Sequence, residues 1–225
     1  MNDTLNNCFE PNSKYHYEDL IELLNSENIK EKHFAVLELE KIRSQNDAKL
    51  MVLNLVGQDG KIREAVAFKV NEFFKNPDYA TFFINEDIFD TLIQGIMDIN
   101  GNVCRQICSL ECEEFNQYLS KNLPEKTNEI LEKIYELESN EKQYVISKRN
   151  FQLYWCLEAL YNIVEKVEFE RIKDIIFKTS QFNDYTIREK TAKILTKLDN
   201  LELNELKEKL RNDENYYVRK YSNKK

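Results

Sequence analysis

The sequence predicts an all-α protein, a curved α-α superhelix of about five to six stacked helix pairs. Two observations carry this prediction: a shortage of turn residues and a recurring pattern that opens helices. The 225 residues include four glycines and three prolines, whereas sandwiches, barrels and doubly wound sheets need many tight turns. Hydrophobic residues make up 42% and charged residues 32%, the balance of a folded chain with a sizeable core.

The recurring pattern is a polar turn, then Ile or Val, then in most copies a basic residue at the start of an amphipathic helix. Asn or Asp in the turn supplies an N-cap, and the apolar residues that follow at intervals of three and four form one stripe. The copies recur at roughly 30–45 residues, a period typical of α-solenoids, in which paired helices stack because one pair cannot bury its own stripe. The apolar anchors of the copies are Ile29, Ile62, Val103, Ile146, Ile187 and Val218.

The first helix of each pair is predicted from the same periodicity, and polar turns at 57–60 and 100–102 separate the two members of a pair. The predicted first helices span 47–56, 86–97, 126–137, 169–179 and 203–210. We expect one domain over residues 15–221, with a flexible N-terminal tail at 1–14 and a frayed C-terminus at 222–225. A helical bundle without repeats is the alternative architecture.

Two of the helix openings resemble the HEAT-repeat family, a branch of the armadillo/HEAT-like solenoids. They place Asp59 before Arg63, and Asp184 before Arg188. The resemblance implies that the turn Asp and the helix Arg form a ladder between neighbouring units. It also implies that the ladder is interrupted in the middle of the chain, where Cys104 replaces the Arg.

Charge is spread unevenly over a chain whose net charge is −8. Residues 85–118 contain seven acidic residues and one basic residue, Arg105, whereas residues 142–197 contain eleven basic and seven acidic residues. Because phosphate contacts dominate affinity for nucleic acid, the net charge disfavours that class of partner. We expect a protein partner that is basic where it meets 85–118 and acidic where it meets 142–197.

The residues that could carry chemistry do not form a recognisable catalytic or metal site. The sequence has no Gly-x-Ser-x-Gly, no glycine-rich phosphate loop and no His-Glu-x-x-His. Cys104, Cys108 and Cys112 lie four apart on one predicted helix, and three thiolates on one straight helix cannot surround a zinc ion. We therefore expect no catalytic residue, no cofactor and no metal, and we interpret these cysteines as small packing residues.

The segment 151–161 holds the only Trp of the chain, and Trp155 falls outside its core stripe together with Phe151 and Glu158. Trp155 is either an exposed anchor for a partner or a ring packed between units. In HEAT-like proteins the second helix of each pair lines the concave surface. On that basis the candidate binding residues are Glu64, Phe68, Arg105, Ser109, Phe151, Trp155, Glu158, Lys190 and Lys193.

The resemblance implies a non-catalytic scaffold that binds another protein on its concave face. The alternative is a nucleic-acid-binding enzyme like the HEAT-like alkylpurine DNA glycosylases, which use a concave Trp and a carboxylate on a cationic nucleoside; HEAT-like chromophore lyases are a further enzyme class. Trp155 and Glu158 match those glycosylases in residue type only. The polar start of the chain and the lack of a long apolar run predict a cytoplasmic protein without a membrane contact.

Overall fold

The chain is all-α. The computed structural model describes residues 15–138 and 143–223, and within these ranges it contains thirteen α-helices and no strand. In chain order the helices are α1 (Tyr17–Leu23), α2 (Ile29–Glu38), α3 (Gln45–Leu53), α4 (Gly60–Phe74), α5 (Pro77–Ala80), α6 (Glu86–Ile96), α7 (Gly101–Cys108), α8 (Glu113–Glu138), α9 (Gln143–Ile163), α10 (Phe169–Thr179), α11 (Tyr185–Lys197), α12 (Asn204–Arg211) and α13 (Tyr216–Ser222).

Twelve of these helices form six pairs, and the short α5 lies between the second and third pair. We call the first helix of each pair an A helix (α1, α3, α6, α8, α10 and α12) and the second a B helix (α2, α4, α7, α9, α11 and α13). Each A helix contacts its own B helix, and each B helix contacts the B helix of the next pair along the whole chain. The architecture is therefore a HEAT- or armadillo-like superhelix of six units, as expected. The expected tail at 1–14 and residues 224–225 lie outside the described residues.

Asparagine or aspartate caps start the B helices. Asn28, Asp59, Asn100, Asp184 and Asn215 each accept a hydrogen bond from the backbone N–H two residues on. These bonds satisfy amides that have no partner within the helix. The turn before α9 falls in 139–142, outside the described residues.

The apolar anchor lies three residues after the cap and faces the core. Ile62, Val103, Ile187 and Val218 are all buried. The prediction for α2 was wrong by two positions, because Ile29 directly follows its cap and is 54% exposed. Ile146 is only partly buried, since α9 begins earlier than the pattern predicted.

Two arginines link neighbouring units through carboxylates of the next turn. Arg63 of α4 donates from Nε and Nη2 to Asp98 at 2.7 and 3.0 Å, and Arg188 of α11 makes the same pair of bonds to Asp213. The side chains of both pairs are at most 15% exposed. The hydrogen bonds that each guanidinium donates to its carboxylate raise the pKa of the guanidinium despite its burial.

The ladder differs from the expected one in the identity of its acids. Asp59 and Asp184 cap their own helices, while the bridging acids lie two residues before the next cap. The expected interruption is present: the Cys104 thiol takes the place of the guanidinium and contacts the carbonyl oxygen of Asp98. A thiol is too short to reach the following unit, and among the described residues no arginine bridge joins α7 to α9.

Helix α8 begins at Glu113 and is therefore longer than the predicted helix at 126–137. It contains Pro124 in its interior. Proline has no N–H and its ring crowds the carbonyl four residues earlier, at Ser120. Arg171 of α10 donates hydrogen bonds to the carbonyl oxygens of Ser120 and Lys121. The guanidinium thereby satisfies backbone acceptors near the proline.

The helices pack around one continuous apolar core that runs through all six units. Gly95 of α6 brings two helices close together, since a Cβ at this position would lie 3.1 Å from Cγ1 of Ile107 on α7. None of the helices in 15–138 and 143–223 combines the length and apolarity that a bilayer span requires.

Candidate functional site

The sequence analysis predicted that the candidate binding residues lie on the solvent-facing side of the B helices. Glu64 and Arg105 lie five residues after the caps of α4 and α7, and Phe68 and Ser109 lie nine residues after them. We call the exposed and part-exposed side of α4, α7, α9, α11 and α13 the B-helix face. These four residues all lie on it, and Phe68 is 55% exposed.

One candidate on α11 is not a surface residue. Lys190 is 3% exposed, and its ammonium group pairs with Glu158 and lies 4.3 Å from the ring centroid of Tyr154. Burial would lower the pKa of Lys190, but the hydrogen bond to Glu158 outweighs this and raises it. The prediction was one position off: Glu189, not Lys190, lies five residues after the cap of α11.

Short polar contacts join neighbouring units across the B-helix face. The Glu64 carboxylate accepts from the amide groups of Asn100 and Asn102 at 3.1 and 2.8 Å. Two turns further along α4, the Asn71 amide donates to Ser109 Oγ at 2.9 Å. Glu64 and Ser109 thus hold adjacent B helices in place, besides lying on the expected surface.

The aromatic group on α9 is half packed and half open. The Trp155 ring makes edge contacts with Phe151 and Tyr154, at centroid distances of 6.3 and 5.5 Å. Phe151 is 36% exposed and Trp155 is partly exposed, while the indole Nε1 itself is buried and has no hydrogen-bond partner among the described residues. Phe151 and Trp155 also lie at contact distance from a Cβ built on Gly101 at the start of α7. Trp155 is therefore packed between units and also partly accessible, and its role as an anchor for a partner stays a prediction.

Lysines lie over tyrosine rings along the C-terminal B helices, a feature that the sequence reasoning missed. Lys193 lies 4.1 Å from the ring centroid of Tyr221, and Lys197 lies 4.2 Å from that of Tyr161. Such cation–π contacts hold the rings in place. Part of the signal was present in the sequence, since Tyr154, Glu158 and Tyr161 follow the four- and three-residue spacing of one helix face.

A groove of about 660 Å³ opens between α7, the α7–α8 connection and α9. Its lining brings together four of the predicted residues. They are Arg105, Ser109, Trp155 and Glu158. Three more polar side chains join them from the connection and from α8: Glu111, Glu113 and Asn116. A second groove, of about 840 Å³, lies between α9 and the turn before α11 and is lined by Phe151 and Tyr154.

In the described part of the basic stretch, residues 143–197, the cations do not form a row of free charges. Its arginines and lysines are mostly held by carboxylates, carbonyls, an amide or an aromatic ring of the same chain. Those with such a contact are Arg149, Lys166, Arg171, Lys173, Arg188, Lys190, Lys193 and Lys197. Most of these cations are therefore already engaged within the chain.

The cysteines are in two environments. Helix α7 ends at Cys108, so Cys112 lies beyond it, and its sulfur accepts from the backbone N–H of Phe115 at the start of α8. The prediction that three cysteines share one helix was therefore wrong. Burial raises the pKa of the Cys104 and Cys156 thiols to about 12. Within 15–138 and 143–223, no group of three His, Cys, Asp or Glu side chains is arranged to hold a metal ion.

Exposed aromatic rings are concentrated on the B helices. Seven Phe and Tyr side chains of the described residues are exposed, and six of them belong to α4, α9, α11 or α13. The six are Phe68, Tyr144, Phe151, Tyr185, Tyr216 and Tyr217. The seventh, Tyr135, lies on the A helix α8. The rings of Tyr185 and Tyr217 stack across α11 and α13 at 6.5 Å.

Comparison with known proteins finds similarity in fold. No protein-family model matches the sequence, and no curated protein matches it. Among solved structures, an engineered protein aligns over 93% of this chain and 96% of its own at 16% identity and a TM-score of 0.48. A designed armadillo repeat protein in complex with the peptide (KR)4 aligns over 92% and 97% at 13% identity and a TM-score of 0.48. A HEAT-like repeats protein from the archaeon Thermococcus onnurineus NA1 aligns over 94% and 95% at 15% identity and a TM-score of 0.38.

All three similarities are below 25% identity and below a TM-score of 0.5. The assignment of the fold therefore rests on the stacking of the six units in this chain. The class that its architecture defines is a HEAT/armadillo-like helical repeat protein.

Proposed function

We propose that this chain is a non-catalytic scaffold in the cytoplasm whose B-helix face binds a segment of another protein. The observation that carries the proposal is the concentration of exposed aromatic rings on the B helices. Aromatic side chains are enriched at protein interfaces and supply most of their energetic anchors. A solenoid adds one such helix per unit and so presents an extended surface.

Charge favours a protein over a nucleic acid as the partner. The net charge of the chain is −8, and most cations of its basic stretch are held internally. Binding of a phosphate backbone gains its affinity from free lysines and arginines that displace counterions. The B-helix face instead mixes aromatic rings, amides and charges of both signs, which suits a polypeptide.

Selection of peptides on the intact chain tests this proposal. A displayed library of random peptides would be selected on the protein, and the affinity of the selected peptides measured by fluorescence anisotropy. Phe68→Ala on α4 should weaken binding about fivefold or more, since truncation of an interface anchor costs over 1 kcal/mol. Leu53→Ala is the matched control, because Leu53 is 51% exposed on the A helix α3.

Two results would contradict the proposal. One is a library that yields no peptide whose affinity depends on the B-helix face. The other is an equal loss of affinity in Phe68→Ala and Leu53→Ala, which would indicate non-specific adhesion to apolar side chains.

One observation favours the alternative, a glycosylase-like activity on alkylated DNA: Trp155 and Glu158 line the same groove. The pairing of Glu158 with the buried Lys190 opposes it, because it engages the carboxylate that would stabilise a cationic sugar. Anisotropy with undamaged and alkylated duplex DNA at about 50 mM salt separates the two functions. Tight, salt-sensitive binding, with base release that Glu158→Gln abolishes, would establish the alternative.

A further inference from the structure

The turns inside the six helix pairs lie side by side along one edge of the superhelix. Neighbouring B helices pack on each other and run in the same direction, since Lys190 and Lys197 of α11 contact Tyr154 and Tyr161 of α9 in the same order. Because each of these turns leads into a B helix, parallel B helices bring the turns to one edge. We call these turns, together with the first two residues of each B helix, the turn edge.

Every unit exposes a large apolar side chain on the turn edge. Seven such side chains are between 41% and 69% exposed, whereas the turns between units expose two within the described residues, Ile84 and Leu201. The seven are Ile29, Val56, Ile99, Tyr144, Tyr185, Tyr216 and Tyr217. The four tyrosines are the first or second residues of their B helices, so they lie at the edge, whereas Phe68 lies midway along α4.

Two grooves open on the same edge. One, of about 410 Å³, lies between Val56 and Ile99 and reaches Gln152 of α9. The other, of about 840 Å³, lies between the first half of α9 and the turn before α11, with Phe182 in its lining. The turn edge therefore carries both projecting side chains and hollows, as a surface must if it is to pack against a copy of itself.

The exposed apolar area is large enough for a stable interface. A large side chain has roughly 200 Å² of surface, so seven that are about half exposed present on the order of 700 Å². A standard interface buries about 800 Å² on each partner, part of it in a polar rim. At the C-terminal end the patch is continuous, because Tyr217 contacts the rings of both Tyr185 and Tyr216.

The turn edge is nearly neutral, although the chain carries a net charge of −8. Asp98 and Asp213 of the turns are neutralised by Arg63 and Arg188. The other acids of the described turns are largely offset by lysines on or beside the edge. These acids are Glu27, Asp59, Asp184 and Glu214, and the lysines are Lys30, Lys61 and Lys148. Such a surface gains little from a strongly charged partner, and two copies of it can approach without repulsion.

We propose that the turn edge packs against the turn edge of a second copy of this chain, in a dimer with two-fold symmetry. A two-fold axis through the middle of the edge places the copies in opposite directions. The aliphatic first half of one edge, with Ile29, Val56 and Ile99, then meets the tyrosines of the other. The middle of the B-helix face stays open, so the inference does not rest on the proposed function.

Sedimentation equilibrium of the intact chain tests the inference. At about 150 mM salt, the mass should rise from one chain to two between about 1 and 200 µM protein. Ile99→Lys should raise the dissociation constant at least about tenfold, because dimerisation would bury an ammonium group without a partner. Leu201→Lys is the matched control: it adds the same charge at an exposed aliphatic residue on the opposite edge and should leave the constant unchanged.

A pair of charge variants tests the opposite direction of the two copies. The second and fifth units lie equally far from the middle of the edge, so Val56 of one copy should face Tyr185 of the other. Val56→Lys and Tyr185→Glu should each weaken self-association, whereas an equimolar mixture should form dimers at a concentration where each alone is monomeric. A mixture of Val56→Lys with Leu201→Glu should not. All these positions are exposed, so the substitutions do not threaten the fold.

Four outcomes would overturn the inference. They are the mass of one chain over the whole range, growth beyond two chains, an equal effect of Ile99→Lys and Leu201→Lys, and flotation of a monomer with phosphatidylcholine vesicles that Ile99→Lys abolishes. The last would assign the edge to a bilayer surface. A monomer that selects peptides dependent on Phe68 would refute the dimer and leave the proposed function standing. A dimer that selects no such peptide would do the reverse.

Discussion

The bridge between Arg188 and Asp213 should contribute measurably to the stability of the C-terminal end of the superhelix. Asp213→Asn keeps the size of the side chain and removes its charge. The guanidinium then retains its bonds to the carbonyl oxygens of Phe182 and Asn183 at 2.8 and 3.0 Å. Of the two bonds to Asp213, at 2.7 and 3.0 Å, one loses its acceptor. Asparagine replaces one carboxylate oxygen with an NH₂ group, which cannot accept a hydrogen bond.

The magnitude follows from burial and charge. Both side chains are 10% exposed, and a hydrogen bond to a charged group contributes about 1.5–3 kcal/mol. Since part of the guanidinium stays bonded, we expect Asp213→Asn to lower the free energy of unfolding by about 2–3 kcal/mol. For a chain of this size that corresponds to a decrease in Tm of about 4–12 °C.

The effect depends on pH with a definite sign. Burial of Asp213 acts to raise its pKa, but hydrogen bonds from Arg188 and Asn215 outweigh this and lower it. The folded-state pKa thus lies below the unfolded value of about 3.9. The stabilisation is complete above about pH 4 and is lost as the pH falls through the folded-state pKa. The native chain and Asp213→Asn should therefore converge in stability below pH 4.

Urea unfolding followed by far-UV circular dichroism and by Trp155 fluorescence measures this loss. Arg188 and Asp213 join the last two described units, whereas Trp155 lies on α9, one unit earlier. In Asp213→Asn, helical signal should therefore begin to fall at a lower urea concentration than the one at which Trp155 fluorescence changes. Glu18→Gln at the exposed pair with Arg43 is the control and should cost less than about 0.5 kcal/mol. A cost for Asp213→Asn no greater than that of the control would refute the reasoning.

Two further predictions concern packing and thiols. Gly95→Ala should lower the free energy of unfolding by about 1–3 kcal/mol, because its Cβ would lie 3.1 Å from Ile107. Gly60→Ala is the control and should not lower it, since the space around Gly60 is open. Equal losses of stability in the two variants, measured by thermal unfolding, would contradict the close packing at Gly95. Cys104 and Cys156, with thiol pKa values of about 12, should react with iodoacetamide at pH 8 far more slowly than an unfolded-chain thiol; labelling of either at the unfolded rate would contradict their burial.

The helix pairing was predictable because it depends on local signals. A cap followed three residues later by an apolar anchor is visible in sequence, and Ile62 and Ile187 lie where that spacing places them. The identity of the bridging acids was not visible, because Asp98 and Asp213 belong to the turn of the next unit. Which turn acid meets which arginine depends on how two units stack.

The surface was predictable in periodicity but not in detail. Phe68 and Arg105 follow from helix phase alone, whereas Lys190 differs by one position from the exposed stripe and is buried. The contribution of Glu111 to the groove could not be foreseen, since α7 ends at Cys108 and the connection to α8 carries Glu111 across from α9. The periodicity of the sequence does not show that α7 ends at Cys108.

Hydrogen exchange on the intact chain, with and without a library-selected peptide, tests the central claim most directly. The account predicts slower exchange in α4, α7, α9 and α11 when the peptide is bound, with no change in the A helices α3, α6 and α10. Protection confined to the A helices, with the B helices unchanged, would contradict the assignment of the B-helix face as the binding surface.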